Sequence, residues 1–271
     1  MISSLQQQFT GFLATPQLVF TAEEFSYSNF ELRHISEVLP AHFMMPTSIR
    51  LGQRMEVFME AALASENYQL LSKNLQIIAE KQTLGELDFI FRNLATEETI
   101  HLEMVCKFYF YRPEIPGSWI DKLIGPNAKD KLRYKLDRLS SHQFPILYKP
   151  ETKAYLDKIN LNVKILKQQI SFKAQLYVPF DIRLKESRIP EDQIQGFYFT
   201  IKQLEIFSRS EFLFYIPRKD DWVSTPIMNP EVYNYSIFRK KISAALIEQR
   251  SCMFWVFESK TKFQRHFATW W

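Results

Sequence analysis

Residues 83–107, TLGELDFIFRNLATEETIHLEMVCK, hold two alternating segments joined by a short polar turn. Pleating sends successive side chains of a strand to opposite faces. From Gly85 to Phe91 this would put Leu87, Phe89 and Phe91 on one face and Glu86, Asp88 and Ile90 on the other. Asn93, Thr96, Glu97 and Glu98 supply the turn. Residues 100–111, IHLEMVCKFYFY, alternate again, with Leu102, Met104, Cys106, Phe108 and Phe110 on an apolar face and His101, Glu103, Val105, Lys107 and Tyr109 opposite. The spacing predicts a hairpin. Asp88 then stands on one strand, and Glu103 and Lys107 on the next, among strongly apolar neighbours.

A buried charge costs on the order of several kcal/mol unless it is paired or metal-bound. Two carboxylates from adjacent strands suit Mg²⁺ or Mn²⁺, which take oxygen ligands; Mg²⁺ retains waters. Such an ion polarises a phosphodiester oxygen and acidifies a bound water. A nearby lysine stabilises the charge that develops. The competing reading of the same residues is an ion pair between Asp88 and Lys107. His101, two before Glu103 on the same face, reads as a packed or exposed histidine, with support of Glu103 the alternative.

Working outward, residues 47–63, TSIRLGQRMEVFMEAAL, read as a helix capped by Thr47 or Ser48, with Leu51, Met55, Phe58 and Ala62 at helical spacing. Glu56 and Glu60 lie four apart, off that stripe. Residues 75–79 suit a strand. Pro113 and Pro116 end the second hairpin strand, and a further helix, DKLRYKLDRLSSHQ, runs from Asp130. Leu132, Leu136 and Leu139 form its apolar stripe, continued by Gln143. Lys131, Lys135, Arg138 and His142 form a basic stripe beside it, either a solvated face or an edge that contacts phosphates. Beyond Lys149 the pattern turns to strands at 170–180, 196–207, 211–218 and 252–258, interrupted by a helix near 235–249.

The chain has 271 residues, 46% hydrophobic and 24% charged, enough for a well-filled core. Six glycines and no GxGxxG or GxxxxGK[ST] leave a Rossmann or P-loop reading without support. A net charge of +4 and a pI near 8.9 are compatible with nucleic acid but do not argue for it alone. Cys106 and Cys252 make no disulfide framework and no zinc ribbon, and neither has a convincing histidine partner for nucleophilic catalysis. No secretory signal and no membrane-length apolar run is evident, so the expected location is cytoplasmic, with no membrane partner.

LGQRMEVFMEAAL, TLGELDFIF, HLEMVCKFYF and WIDKLIGPNAKDKLRYKLDRLSSHQ, in that order, resemble the bacterial domain-of-unknown-function family eighteen fifty-three, of the PD-(D/E)XK nuclease-like superfamily. The motifs span roughly residues 45–145. The resemblance implies an α/β fold: a PD-(D/E)XK (restriction-endonuclease-like) core, its central mixed sheet flanked by helices, plus a strand-rich C-terminal half. It divides the chain into an N-terminal helical extension (1–46), the nuclease-like core (47–180) and a strand-rich lobe (181–271). It implies Asp88 and Glu103 as ligands of Mg²⁺ or Mn²⁺, Glu56, Lys107 and Gln143 as catalytic residues, and Lys131, Lys135 and Arg138 as nucleic-acid contacts. The implied activity is metal-dependent phosphodiester hydrolysis on DNA or RNA. In the superfamily motif the lysine follows the acid by two; here Val105 holds that place and Lys107 lies four residues on. That departure keeps open a nucleic-acid-binding module without cleavage. The aromatic-rich C-terminal half keeps open a protein-interaction scaffold.

Overall fold

The computed structural model describes residues 4–182, 189, 191–209, 211–226, 230–259 and 261–271; the remaining positions of the expected N-terminal extension and C-terminal lobe lie outside the described residues. The chain is mixed α/β, a large mixed sheet flanked by helices. In order, its elements are α1 (Ser4–Ala14), β1 (Ser28–Asn29), α2 (Leu51–Leu63), β2 (Tyr68–Ala79), β3 (Gln82–Asn93), β4 (Thr99–Tyr111), β5 (Leu123–Ile124) and α3 (Leu132–Arg138). There follow α4 (Pro150–Lys158), β6 (Leu166–Pro179), β7 (Ile194–Thr200), β8 (Leu213–Tyr215), α5 (Tyr235–Ile247), β9 (Cys252–Phe257) and β10 (Phe263–Thr269). Two compact units, each discontinuous in sequence, share these elements: one comprises residues 17–106 and 135–173, the other 1–16, 107–134 and 174–271.

In the first unit the predicted hairpin is part of a meander, β2–β3–β4, with β6 beside β4 and β1 parallel to β6. β2 is longer than the strand expected at 75–79. It turns into β3 through Glu80 and Lys81 alone, at φ 48° and 65°. That is the two-residue turn with both residues left-handed, whose twist matches the strands it joins. α2 starts later than expected. Ser48 lies at φ 59°, and the helix is capped at Arg50, whose N–H donates to Gln53 Oε1 at 3.0 Å. Its buried face carries Met55, Phe58, Met59, Ala62 and Leu63.

The expected alternation of β3 fails at Asp88. Leu87 and Ile90, assigned to opposite faces, both pack into one cluster with Ile146, Leu147 and Leu156. Two interruptions meet at this point. Asn74, between the pairs Lys73↔Phe89 and Leu75↔Leu87, is left-handed at φ 48°. On the other side the β3–β4 ladder runs from Arg92↔Thr99 only to Phe89↔Leu102.

The helix expected from Asp130 is α3, followed by a π turn over Leu139–Gln143 and a 3-10 turn over Phe144–Tyr148. α4 falls where strands and turns were expected. Its sequence, PETKAYLDK, buries only Thr152 and Leu156, too thin a stripe for periodicity to reveal. Gly85 brings β3 against this helical stretch: a Cβ there would stand 2.0 Å from Ile146 Cδ1.

In the second unit β6 and β10 both lie parallel to β7, and β9 pairs antiparallel with β10 and with β8. β5 pairs with the end of β4. The strand expected over 196–207 ends at Thr200, because Gln203 Oε1 accepts the Thr200 N–H (2.8 Å) and a 3-10 turn, Gln203–Phe207, follows. The expected helix near 235–249 is α5, capped by Asn234 Oδ1 on the Ile237 N–H at 3.0 Å. Phe199, Phe214, Phe238 and Phe254 centre its core. No helix among the described residues is long and apolar enough to cross a membrane.

Candidate metal centre

The interruption at Asp88 is where the carboxylates gather. Asp88 Oδ2 accepts the Met104 N–H of the neighbouring strand at 2.9 Å, and the Asp88 N–H in turn donates to the Glu103 carboxylate. Each strand lends a backbone donor to the other's acid. These exchanges replace the ladder bonds that end at Phe89↔Leu102.

Glu103 is fully buried, and its oxygens are separately held. His101 Nε2 lies 3.1 Å from Oε1, and Gln143 Nε2 donates to Oε2 at 2.8 Å. Gln168, from β6, donates its amide to the Phe144 carbonyl (2.8 Å) and approaches His101 Nδ1 at 3.1 Å. With Nδ1 accepting from Gln168, the proton of neutral His101 sits on Nε2 and is donated to Glu103. Burial holds His101 down to about 4, which keeps it neutral. Lys135 Nζ donates to Gln143 Oε1 at 2.9 Å, completing a chain from the cation through the amide to the acid. Residues 135 and 143 are eight apart, about 2.2 turns of an α-helix, so they would not align. The wider π turn over 139–143 brings them together.

Asp88 and Glu103 meet across β3 and β4, and Glu56 of α2 lies within electrostatic reach of both. Burial and then the neighbouring Glu103 push Asp88 up to about 7, against the Met104 N–H. Burial pushes Glu103 up to about 7, opposed by Lys135. Burial, Asp88 and Glu86 push Glu56 up to about 7, opposed by the Asn74 amide and Lys135. The three titrate as a set. Near neutrality the cluster holds protons that a cation could replace.

The donors fit a hard divalent ion. They are all oxygens, Asp88 remains half-buried, and its Oδ1 accepts no hydrogen bond among the described residues. No three His, Cys, Asp or Glu side chains among the described residues form a ready-made cage. A Mg²⁺-like ion on Asp88 and Glu103 would therefore keep several waters, as such ions commonly do. The hydrogen bonds from His101 and Gln143 fix the orientation of Glu103, as partners of a ligating acid would.

Of the residues singled out from sequence, Asp88, Glu103, Lys135 and Gln143 come together, and Glu56 lies within electrostatic reach of them. Lys107 is instead bonded to Asp130, Nζ to Oδ2 at 2.8 Å. Lys131 Nζ lies over the Tyr134 ring at 5.2 Å, and Arg138 is exposed. Lys135, of the same stripe, is bonded to Gln143 and lies within electrostatic reach of the acids. Sequence reasoning missed Asn74 and Gln168, which no local pattern marks.

Residues 20–264 match the family described as Domain of unknown function (DUF1853). The chain belongs to that family. No curated protein and no solved structure matches it. The DUF1853 match reaches well beyond the motifs at 45–145 and takes in every member of the carboxylate cluster together with Gln168. Both units of this DUF1853 chain contribute to the matched span.

Proposed function

We propose that this DUF1853 protein is a divalent-metal-dependent phosphodiesterase of the PD-(D/E)XK type, acting on DNA or RNA. The gathering of Glu56, Asp88 and Glu103 with Lys135 and Gln143 carries the reading. The order helix α2, meander β2–β4, helix α3 and strand β6 supports it, being the order expected of that core.

Asp88 and Glu103 would hold the ion, Mg²⁺ or Mn²⁺. When bound, the ion supplies Lewis acidity at a phosphoryl oxygen and lowers the pKa of a bound water. Glu56, held up to about 7, is suited to take a proton from an attacking water at neutral pH. Lys135 would take the part of the superfamily lysine, being the cation that opposes the negative charge on Glu56, Asp88 and Glu103. It would offset negative charge developing on a phosphate. Gln143 and His101 would keep Glu103 oriented. Lys107, bonded to Asp130, is not required in this scheme.

Incubation with single- and double-stranded DNA and RNA plus Mg²⁺ or Mn²⁺ tests the proposal. Cleavage is expected, and Asp88→Ala and Glu103→Ala should abolish it. Cleavage that survives both substitutions would show that the assignment is wrong. A second reading, binding without cleavage, is favoured by Val105 at the superfamily lysine position. It calls for binding that weakens steeply with salt in the absence of any product.

A further inference from the structure

A cavity of about 560 Å³ in the second unit lies apart from the carboxylate cluster in composition as well as sequence. Arg218, Lys219, Lys241 and Arg250 line it, and among the described residues no Asp or Glu does. Arg250 is engaged by Glu248 at 2.5 Å, and Arg218 stands 4.0 Å from Asp220. Lys219 and Lys241 reach no carboxylate among the described residues. Their ammonium groups lie over aromatic rings instead, 5.6 Å from Trp222 and 4.7 Å from Tyr233. Beneath the cations the floor is largely apolar, and Ile216, Ala244 and Ala245 keep surface exposed there.

From this pairing of cationic rim and apolar floor we infer that the cavity binds a nucleotide phosphate. The two halves of the cavity ask for two halves of a ligand. Lys219 and Lys241, which reach no carboxylate among the described residues, stand beside Arg218 and Arg250, and together they match an anion of more than one charge better than a single carboxylate. A phosphomonoester carries about −1.5 to −2 at neutral pH and offers three strong acceptor oxygens. The floor would take a flat apolar body such as a base, and the volume falls in the range of pockets that enclose small ligands. The phosphate could belong to a free nucleotide or to the 5′-end of a strand; the chemistry recognised is the same.

Calorimetric titration of the full chain in excess EDTA keeps this test separate from the metal site, so loss of cleavage and loss of this binding are distinguishable. Adenosine 5′-monophosphate should bind saturably, with adenosine and inorganic phosphate each weaker by about tenfold or more. Lys219→Ala with Lys241→Ala, both at exposed positions, should weaken the nucleotide by about tenfold or more without lowering the melting temperature; Arg218→Ala should act in the same direction. Displacement by a 5′-phosphorylated oligonucleotide but not its 5′-hydroxyl counterpart would support the pocket with a strand end as the source. Displacement by neither would support it with a free nucleotide. No saturation up to millimolar nucleotide, equal binding of phosphate alone, or unchanged affinity in the lysine variants would overturn it.

Discussion

Asp88 interrupts the ladder between β3 and β4. Its carboxylate takes the Met104 N–H that a regular ladder would have used, and burial beside Glu103 raises it to about 7. A carboxyl raised on folding binds its proton more tightly in the native state. The resulting penalty is absent below the unfolded carboxylate range near pH 4 and fully present above about pH 7. Metal-free protein should therefore lose thermal stability as pH rises through that window, and Mg²⁺ should restore it at the upper end. Asp88→Asn keeps an acceptor for Met104 but removes the charge. It should raise the melting temperature of EDTA-treated protein at about pH 8 and leave it little changed at about pH 4. Thermal scans across pH check both expectations; a variant less stable than wild type at the higher pH would contradict them.

At the scale of elements, close approach and turn geometry decide where the acids stand. Gly85 lets β3 approach the 3-10 turn that carries Ile146, which is fully buried. Gly85→Ala should cost about 1–3 kcal/mol by overpacking. Trimming the obstacle with Ile146→Val in the same chain should recover part of that loss in urea melts, a coupling that independent sites would not show. The β2–β3 turn offers the reverse case. Glu80 and Lys81 hold left-handed conformations that favour Asn and Gly. Replacing the pair by Asn-Gly should stabilise the protein by about 0.5–1 kcal/mol in the same assay.

Across the whole molecule, what could be read from the chain is what lies close together in it. The α2 stripe, the hairpin and the Leu132–Leu136–Leu139 helix are periodic over neighbouring residues, and so they were legible. Glu56, Asp88, Glu103 and Gln143 were placed on the right elements for that reason. Periodicity puts Lys135 on a basic face, because the π turn that aligns it with Gln143 has no signature in the local pattern. Gln168 reaches His101 from a strand that lies 67 residues on in the sequence, a pairing only the sheet can make. Lys107 follows the alternation of β4 yet finds Asp130, a partner that alternation does not predict. α4 escaped because its buried stripe is two residues wide.

The proposed activity requires a divalent ion at Asp88 and Glu103. Titrating Mn²⁺ into metal-free protein by calorimetry at about pH 7, in two buffers of different ionisation enthalpy, measures both the ion and the protons it displaces. The expected result is one saturable site that releases protons on binding and disappears in Asp88→Asn and in Glu103→Gln. Saturable binding that persists unchanged in both variants, or no binding at all by the wild-type chain, would contradict it.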